Sequence, residues 1–323
     1  MSFHKVLCGA AIAFSISAVN AQAETWDMAT PYPDATFHTK NIHQFADDVA
    51  EATSGGLKIN VHSAGSLFKH PEISKAVRSG QVPAGEFFLS LLNNDNPAFG
   101  VDSLPFLATS YDDAERLWAA QRPVVENLLD EQGLMVLYAV PWPPQGLYTT
   151  KPISTVDGLA GVKFRTYNST LETFASMAGA APTQIEVPDI PQAFSTGRVE
   201  AMITSPSTGV NSQAWDFLSH YTDIQAWIPK NIVVVNKRAF QRLGADTQQA
   251  VLEAAAAAEV RGWEMSRNET EVQTAALAEN GIDVQNPSDA LMQGLRAIGA
   301  KMLENWVAAS GEEGAAILEA YNN

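Results

Sequence analysis

Arg165 is the residue whose type and setting offer the most definite chemistry in this chain. It follows Val162-Lys163-Phe164, an alternating run that reads as a short strand entered from the turn Asp157-Gly158-Leu159-Ala160-Gly161. An arginine just past such an element is positioned, and its planar guanidinium can meet a carboxylate with two parallel hydrogen bonds, which a lysine ammonium does not provide. Taken alone, the stretch is described better by an ordinary surface ion pair. Further strand-end and loop groups suit a ligand: Gln145, Tyr148, Thr204 and Ser205, with aromatic walls from Phe87, Phe88, Trp142, Tyr167 and Trp215. In open α/β sheets, ligands settle in crevices beyond the carboxyl ends of strands, where several of these residues fall. For each aromatic, plain core packing is the competing account, and Trp118 and Trp263 on helix faces are assigned to the core.

The signatures of catalysis fail. There is no GxSxG elbow, no phosphate loop, no GxGxxG and no HExxH. The six histidines are scattered, and His38 and His43 lack same-face helical spacing, so no metal site is expected and no cofactor is implied. A nucleophilic role for Ser205 or Ser207 has no base beside it in the sequence, and a hydroxyl at a strand end is more commonly a hydrogen-bonding group.

The elements that must position these groups alternate between strand and helix. Thr25 to Ala29, Leu57 to His62 and Val82 to Leu89 read as strands, with helices over Thr36 to Thr53 and through Ile73, Ala76 and Val77; this βαβαβ opening predicts a largely parallel sheet. Helices over Tyr111 to Ala120 and Val124 to Gln132 then lead to the strand Leu134 to Val140. Pro141-Trp142-Pro143-Pro144-Gln145-Gly146 fits neither helix nor central strand, because its prolines fix φ and remove donors. It is read as a crossing point, with a second lobe from about Leu147. That lobe holds a helix Thr170 to Ala178, a strand Ala181 to Val187, a short helix Asp189 to Thr196 and a buried strand Glu200 to Ile203 presenting Thr204, Ser205, Ser207 and Thr208. Strands at Tyr221 to Ala226 and Ile232 to Asn236 follow, the second crossing back. A helix from Asp246 to Asn280 carries a stripe of Val251, Ala255, Ala258, Gly262, Met265, Val272 and Ala276, interrupted by Glu269; at 1.5 Å per residue it is about 50 Å long, enough to lie across both lobes. Its N-cap is expected at Asp246 or Thr247, and a final helix over Ser288 to about Tyr321 closes the chain.

The 323 residues allow two domains, and 36 acidic against 20 basic residues (net charge -16) argue against a nucleic-acid or anionic-membrane surface. Residues 1–23 read as a secretory signal peptide: Lys5, an apolar run from Val6 to Val19, and Ala21-Gln22-Ala23 before cleavage at Glu24. Cleavage removes the single cysteine, Cys8, leaving a mature chain without thiol or disulfide, as suits a bacterial periplasm. No later segment is long and apolar enough for membrane insertion.

Five ordered blocks carry a resemblance: HQFADDVAEATSGGLKINVHSAGSL at 43–67, VDSLPFL at 101–107, DGLAGVKFRTYN at 157–168, VPDIPQAFSTGRVEAMI at 187–203 and VVVNKRAFQRL at 233–243. The chain resembles the solute-binding proteins of TRAP transporters, the C4-dicarboxylate-binding (DctP) type. The resemblance implies an α/β, two-lobed periplasmic binding fold with crossing strands and a long helix spanning both lobes. It assigns residues 24–146 with about 236–280 to the first lobe, and 147–235 with about 281–323 to the second. It implies a bidentate arginine, carried onto Arg165, and delivery of an organic acid to a TRAP permease of small and large membrane subunits. Thr204 stands where the family often has asparagine, so the ligand is not inherited from better-known members. Aromatic residues favour a small or aromatic monocarboxylate over a sugar acid or dicarboxylate; other importers or sensors remain alternative partners.

Overall fold

The computed structural model describes residues 23–323, so the signal peptide expected over residues 1–23 lies, but for Ala23, outside the described residues. The chain begins β1 (Glu24–Ala29), α1 (Phe37–Ala52), β2 (Leu57–His62), α2 (Ile73–Arg78), β3 (Ala84–Phe88), α3 (Tyr111–Asp130) and β4 (Leu134–Pro141). It continues with β5 (Gly146–Thr149), β6 (Lys163–Thr166), α4 (Ser169–Met177), β7 (Ala181–Gln184), α5 (Ile190–Ser195), β8 (Ala201–Thr204), α6 (Pro206–Asn211), β9 (His220–Thr222) and β10 (Lys230–Asn236). It ends with α7 (Lys237–Arg242), α8 (Ala245–Glu279), β11 (Asp283–Gln285), α9 (Asp289–Ala309) and α10 (Gly311–Asn322). Two sheets form the two lobes, ordered β2-β1-β3-β10-β4 and β11-β9-β5-β8-β6-β7.

The expectation of a parallel sheet holds for the βαβαβ opening, where β1 pairs in parallel with β2 and β3, but each sheet as a whole is mixed. β10 lies antiparallel to both β3 and β4, and β5 lies antiparallel to both β8 and β9. The cause is the crossing itself: a strand that returns from the other lobe enters its sheet running the opposite way. After β4 ends, the Trp142 amide donates to the Pro229 carbonyl (2.8 Å), that of Gln145 to Trp227 (3.1 Å) and that of Ala226 to Gln145 (2.9 Å). The two crossing segments thus pair with each other between the sheets, and β5 then pairs with β9. The return crossing runs through residues 223–229. The apolar run at 230–236 sits instead between β3 and β4, so sheet pairing places residues 230–235 in the first lobe rather than the second.

A buried ion pair holds this return point. Lys230 and Asp102 are both inaccessible, with Nζ 3.4 Å from Asp102 Oδ2 and the Lys230 amide donating to the same oxygen at 3.0 Å. Burial pushes the Asp102 carboxyl up and the Lys230 ammonium down, and the charge of each opposes that shift in the other.

The helices depart from expectation in three places. α3 runs unbroken through Pro123, because Leu117, Gln121, Val125 and Leu129 bury one face on both sides of the single missing hydrogen bond. The last helix is two, broken at Ser310-Gly311, where Gly311 takes φ 61°; α9 covers the second-lobe core and α10 packs on α3 of the first lobe, not the second. α8 is capped by Gly244, not by Asp246 or Thr247.

α8 spans both lobes as expected. Gly262 sits where a Cβ would lie 2.4 Å from Val140, so only glycine admits the sheet this close. Beyond it the buried stripe drifts to Ser266 and Leu277, leaving Val272 half exposed, because a 3.5-residue repeat slips around a straight 3.6-residue helix. That drift turns Glu269 toward α6, where it accepts from Ser207 Oγ.

His38, on α1, is buried against the end of β4 with Nε2 donating to the Val140 carbonyl (3.3 Å). Burial pushes its pKa down to about 3, so the folded ring is neutral.

Two predictions test these buried charges. Asp102→Asn strands Lys230 without its counterion and should cost about 3–5 kcal/mol in denaturant unfolding; a cost near zero would contradict the pairing. Between pH 7 and pH 5 unfolded histidine takes up a proton near 6.5 while folded His38 stays neutral, so His38 withdraws about 2 kcal/mol of stability. Buried Glu86, pushed up to about 7 by burial, acts in the opposite sense, gaining stability as pH falls from 7 toward 4.5. The difference between wild type and His38→Phe isolates the histidine: the variant should gain about 2 kcal/mol relative to wild type over that interval, and a difference independent of pH would refute a neutral buried ring.

Candidate functional site

A pocket lies between the lobes, at the side of the crossing segments. Arg165, in β6 and 1% exposed, supplies its positive charge. β6 is flanked by β7 and β8, so the strand is fixed on both edges, and the arginine belongs to the strand rather than to the turn after it. Its Nε donates to the Ile185 carbonyl at 2.9 Å, and its guanidinium lies 4.9 Å from the centre of the Tyr167 ring. Among the described residues no carboxylate forms an ion pair with it, and its terminal amino groups have no protein acceptor. Burial lowers its pKa to about 10, opposed by Tyr167, Glu186 and Tyr32, so it remains a cation at neutral pH. A buried, charged fork with its two ends unspent is an anion receptor.

The second lobe also brings Tyr167, Glu186, Val187, Thr204, Ser205 and Thr208 to the cavity. Ser205 caps α6, its Oγ accepting from the Thr208 amide and donating to Thr208 Oγ1, both at 3.1 Å. Its hydroxyl is thereby committed to capping. Tyr167 OH accepts from Trp227 Nε1 (3.1 Å) and donates to Gln145 Oε1 (3.2 Å), while Gln145 Nε2 donates to the Pro143 carbonyl (2.8 Å). These partners settle the orientation of the Gln145 amide and leave one of its N–H groups over.

The first lobe contributes a wall whose polar atoms are satisfied from behind. Trp142 Nε1 and Tyr32 OH both donate to Asn231 Oδ1, at 2.9 and 3.3 Å, and Asn231 Nδ2 donates to Glu86 at 2.8 Å. Thr30 Oγ1 donates to the other Glu86 oxygen. Because Glu86 accepts on one side, the Asn231 carbonyl must face the indole and the phenol. Trp142 is packed against His38, with ring centres 4.2 Å apart, and against Tyr32 at 5.1 Å. The wall therefore offers the pocket aromatic surface whose polar atoms are already hydrogen-bonded within the protein.

The lobes touch at its rim. Phe88 and Tyr167 meet edge to face at 5.3 Å, and Asn168 Nδ2 donates to Ser90 Oγ at 2.7 Å. The Phe88 amide donates to His70 Nε2 (3.0 Å), which places the ring proton on Nδ1, 3.4 Å from a Glu186 oxygen.

Of the residues singled out from the sequence, Arg165, Trp142, Gln145, Tyr167, Thr204, Ser205 and Phe88 line the cavity together. Tyr148 and Trp215 do not: the Tyr148 hydroxyl donates to the Ser205 carbonyl from behind the wall (3.1 Å), and Trp215 packs against the cluster of Ile190, Phe194 and Leu218. Phe87 points into the opposite face of its sheet, as strand alternation requires, and joins the core. Sequence reading missed Tyr32, His70, Glu186 and Val187 in the lining and Asn231 and Glu86 behind it. The turn signal at Pro31-Tyr32-Pro33 was the one available clue to Tyr32.

Residues 28–309 match the family model for bacterial extracellular solute-binding protein, family 7 (DctP). The fold superposes on DctP7 of Bordetella pertussis, an extracytoplasmic solute receptor binding pyroglutamic acid, with TM-score 0.92, 47% identity and coverage of 93% of this chain and 100% of that one. It likewise matches a marine metagenome TRAP solute-binding protein specific for pyroglutamate, with TM-score 0.91, 41% identity and coverage of 93% and 99%. A solute-binding protein of Chromohalobacter salexigens is 28% identical over 298 residues, covering 89% of this chain and 88% of that protein. An interlobe pocket with an unspent buried guanidinium and a family match across nearly the whole described chain agree, and the chain belongs to the DctP family of TRAP transporter solute-binding proteins.

Proposed function

We propose that this protein is exported to the periplasm, with its signal peptide removed after Ala23, and captures pyroglutamate or a close cyclic relative for delivery to a TRAP permease of one small and one large membrane subunit. The observation that carries this reading is Arg165, a buried cation whose terminal amino groups have no acceptor among the described residues, in a pocket between the lobes. Its fork takes the ligand carboxylate in two charge-assisted hydrogen bonds. The aromatic faces of Trp142, Phe88 and Tyr167 suit a compact ring, and two relatives above 40% identity bind pyroglutamate. The role is binding without turnover, since the hydroxyl of Ser205 is engaged in a helix cap. Release needs the lobes to part, and the paired crossing segments at residues 141–146 and 223–229 are the natural hinge. The sites named in the cavity act in this reading as ligand contacts, with Tyr148 supporting the floor from behind.

Titration calorimetry with L-pyroglutamate tests the assignment. The wild type should bind it, and Arg165→Lys should bind about 10- to 150-fold more weakly, the loss expected from charge-assisted hydrogen bonds worth about 1.5–3 kcal/mol. Unchanged affinity in the lysine variant would refute Arg165 as the carboxylate receptor.

A further inference from the structure

The cavity holds a second charge. Glu186, at the lip of the second lobe just beyond β7, lines it together with Arg165. Burial alone would raise the Glu186 carboxyl, but the His70 contact, the nearby Arg165 charge and Gln184 more than offset this and hold it below the usual carboxylate value. An arginine and a glutamate thus line one pocket without forming an ion pair with each other. Two separated, partly desolvated charges of opposite sign define a two-ended receptor: the arginine takes an anion and the glutamate takes a hydrogen-bond donor.

The surroundings fix the second end as an acceptor. His70 Nε2 is occupied by the Phe88 amide, so its Nδ1 proton is directed at one Glu186 oxygen. A carboxylate has about four acceptor positions, more than His70 and Gln184 fill. The other cavity groups supply no second cation: Tyr32, Gln145, Thr204, Ser205 and Thr208 are uncharged. A ligand with a second carboxylate therefore meets Glu186 with no positive partner, at a partly buried carboxylate. A ligand that carries an N–H or O–H next to its single carboxylate satisfies both ends.

We propose that Glu186 sets the ligand class, admitting monocarboxylates that carry an adjacent donor, such as a lactam N–H, and rejecting dicarboxylates. The inference rests on the reading of Arg165 as carboxylate receptor and adds the rule by which acids are sorted. His70 is a positioning residue, holding the glutamate across the lip between the lobes.

Calorimetry with three probes tests it: L-pyroglutamate, its lactone analogue in which ring oxygen replaces N–H, and glutarate. Wild type should prefer pyroglutamate over the lactone by at least about tenfold, the scale of a lost hydrogen bond to a charged group, and should bind glutarate more weakly still. In Glu186→Gln the preference over the lactone should shrink, and glutarate should bind at least about tenfold more tightly than to wild type. Glu186→Asp, which keeps the charge, should continue to exclude glutarate; thermal melting confirms that both variants fold. The proposal is overturned if wild type binds glutarate as well as pyroglutamate, or if Glu186→Gln leaves both ratios unchanged, and either result leaves the receptor reading of Arg165 intact. Loss of all binding in both folded variants would show a merely structural glutamate and overturn it too. Absence of any acid binding to wild type would refute the receptor reading and this inference together.

Discussion

A guanidinium buried without a counterion is the constraint around which the molecule is arranged. Desolvating a cation is costly, and Arg165 recovers part of that cost from one hydrogen bond to Ile185 and from the face of Tyr167. Everything else near it keeps the residue in place without neutralising it. β7 and β8 fix β6 from both edges, and the one nearby carboxylate, Glu186, is turned to His70 instead. A direct Arg165–Glu186 ion pair would have satisfied the interior and left nothing to recognise.

The lobes divide the labour unequally. The second lobe carries both charges, whereas the first presents rings whose polar atoms are already spent on Asn231, which Glu86 and Thr30 orient in turn. A wall of this kind offers shape and apolar surface, not hydrogen bonds. Lower polarity on one side strengthens every electrostatic interaction on the other, so the aromatic face amplifies the charged one. The same physics explains why the paired crossing segments run beside the cavity: Trp142 and Gln145, which line it, are also the residues whose amides bond the return crossing.

Arg165 was legible from sequence because strand, turn and family block all converge on one residue. Six lining residues around it were legible for the weaker reason that they sit at strand ends or in the proline-rich crossing. Trp215 and Tyr148 were drawn in by type alone; an aromatic or phenol at a loop or strand is compatible with either side of a wall, and only packing decides which. Glu186 and His70 escaped because each takes its meaning from the other, and they lie 116 positions apart on opposite lobes. The mixed sheet direction escaped for a related reason: local periodicity identifies β10 as a buried strand but says nothing about the direction from which the chain returns. Glu269 shows the converse case, a residue that broke a helical stripe in sequence and proved to be the point where α8 meets α6.

The contacts across the lip bear on how a ligand and closure depend on each other. Phe88 joins them: its ring meets Tyr167 of the second lobe, and its amide holds the His70 ring that faces Glu186. Parting the lobes would separate both contacts at once and return Arg165 and Glu186 to water. In water the two charges are individually well solvated, so the closed arrangement is favoured most when something inside replaces that solvation at both ends. A ligand that satisfies only the arginine leaves the glutamate to be desolvated without return, and shifts the equilibrium toward closure by correspondingly less. Selection among acids and commitment to the closed form are therefore set by the same pair of charges, which makes the separation between Arg165 and Glu186 the dimension of the cavity that matters most.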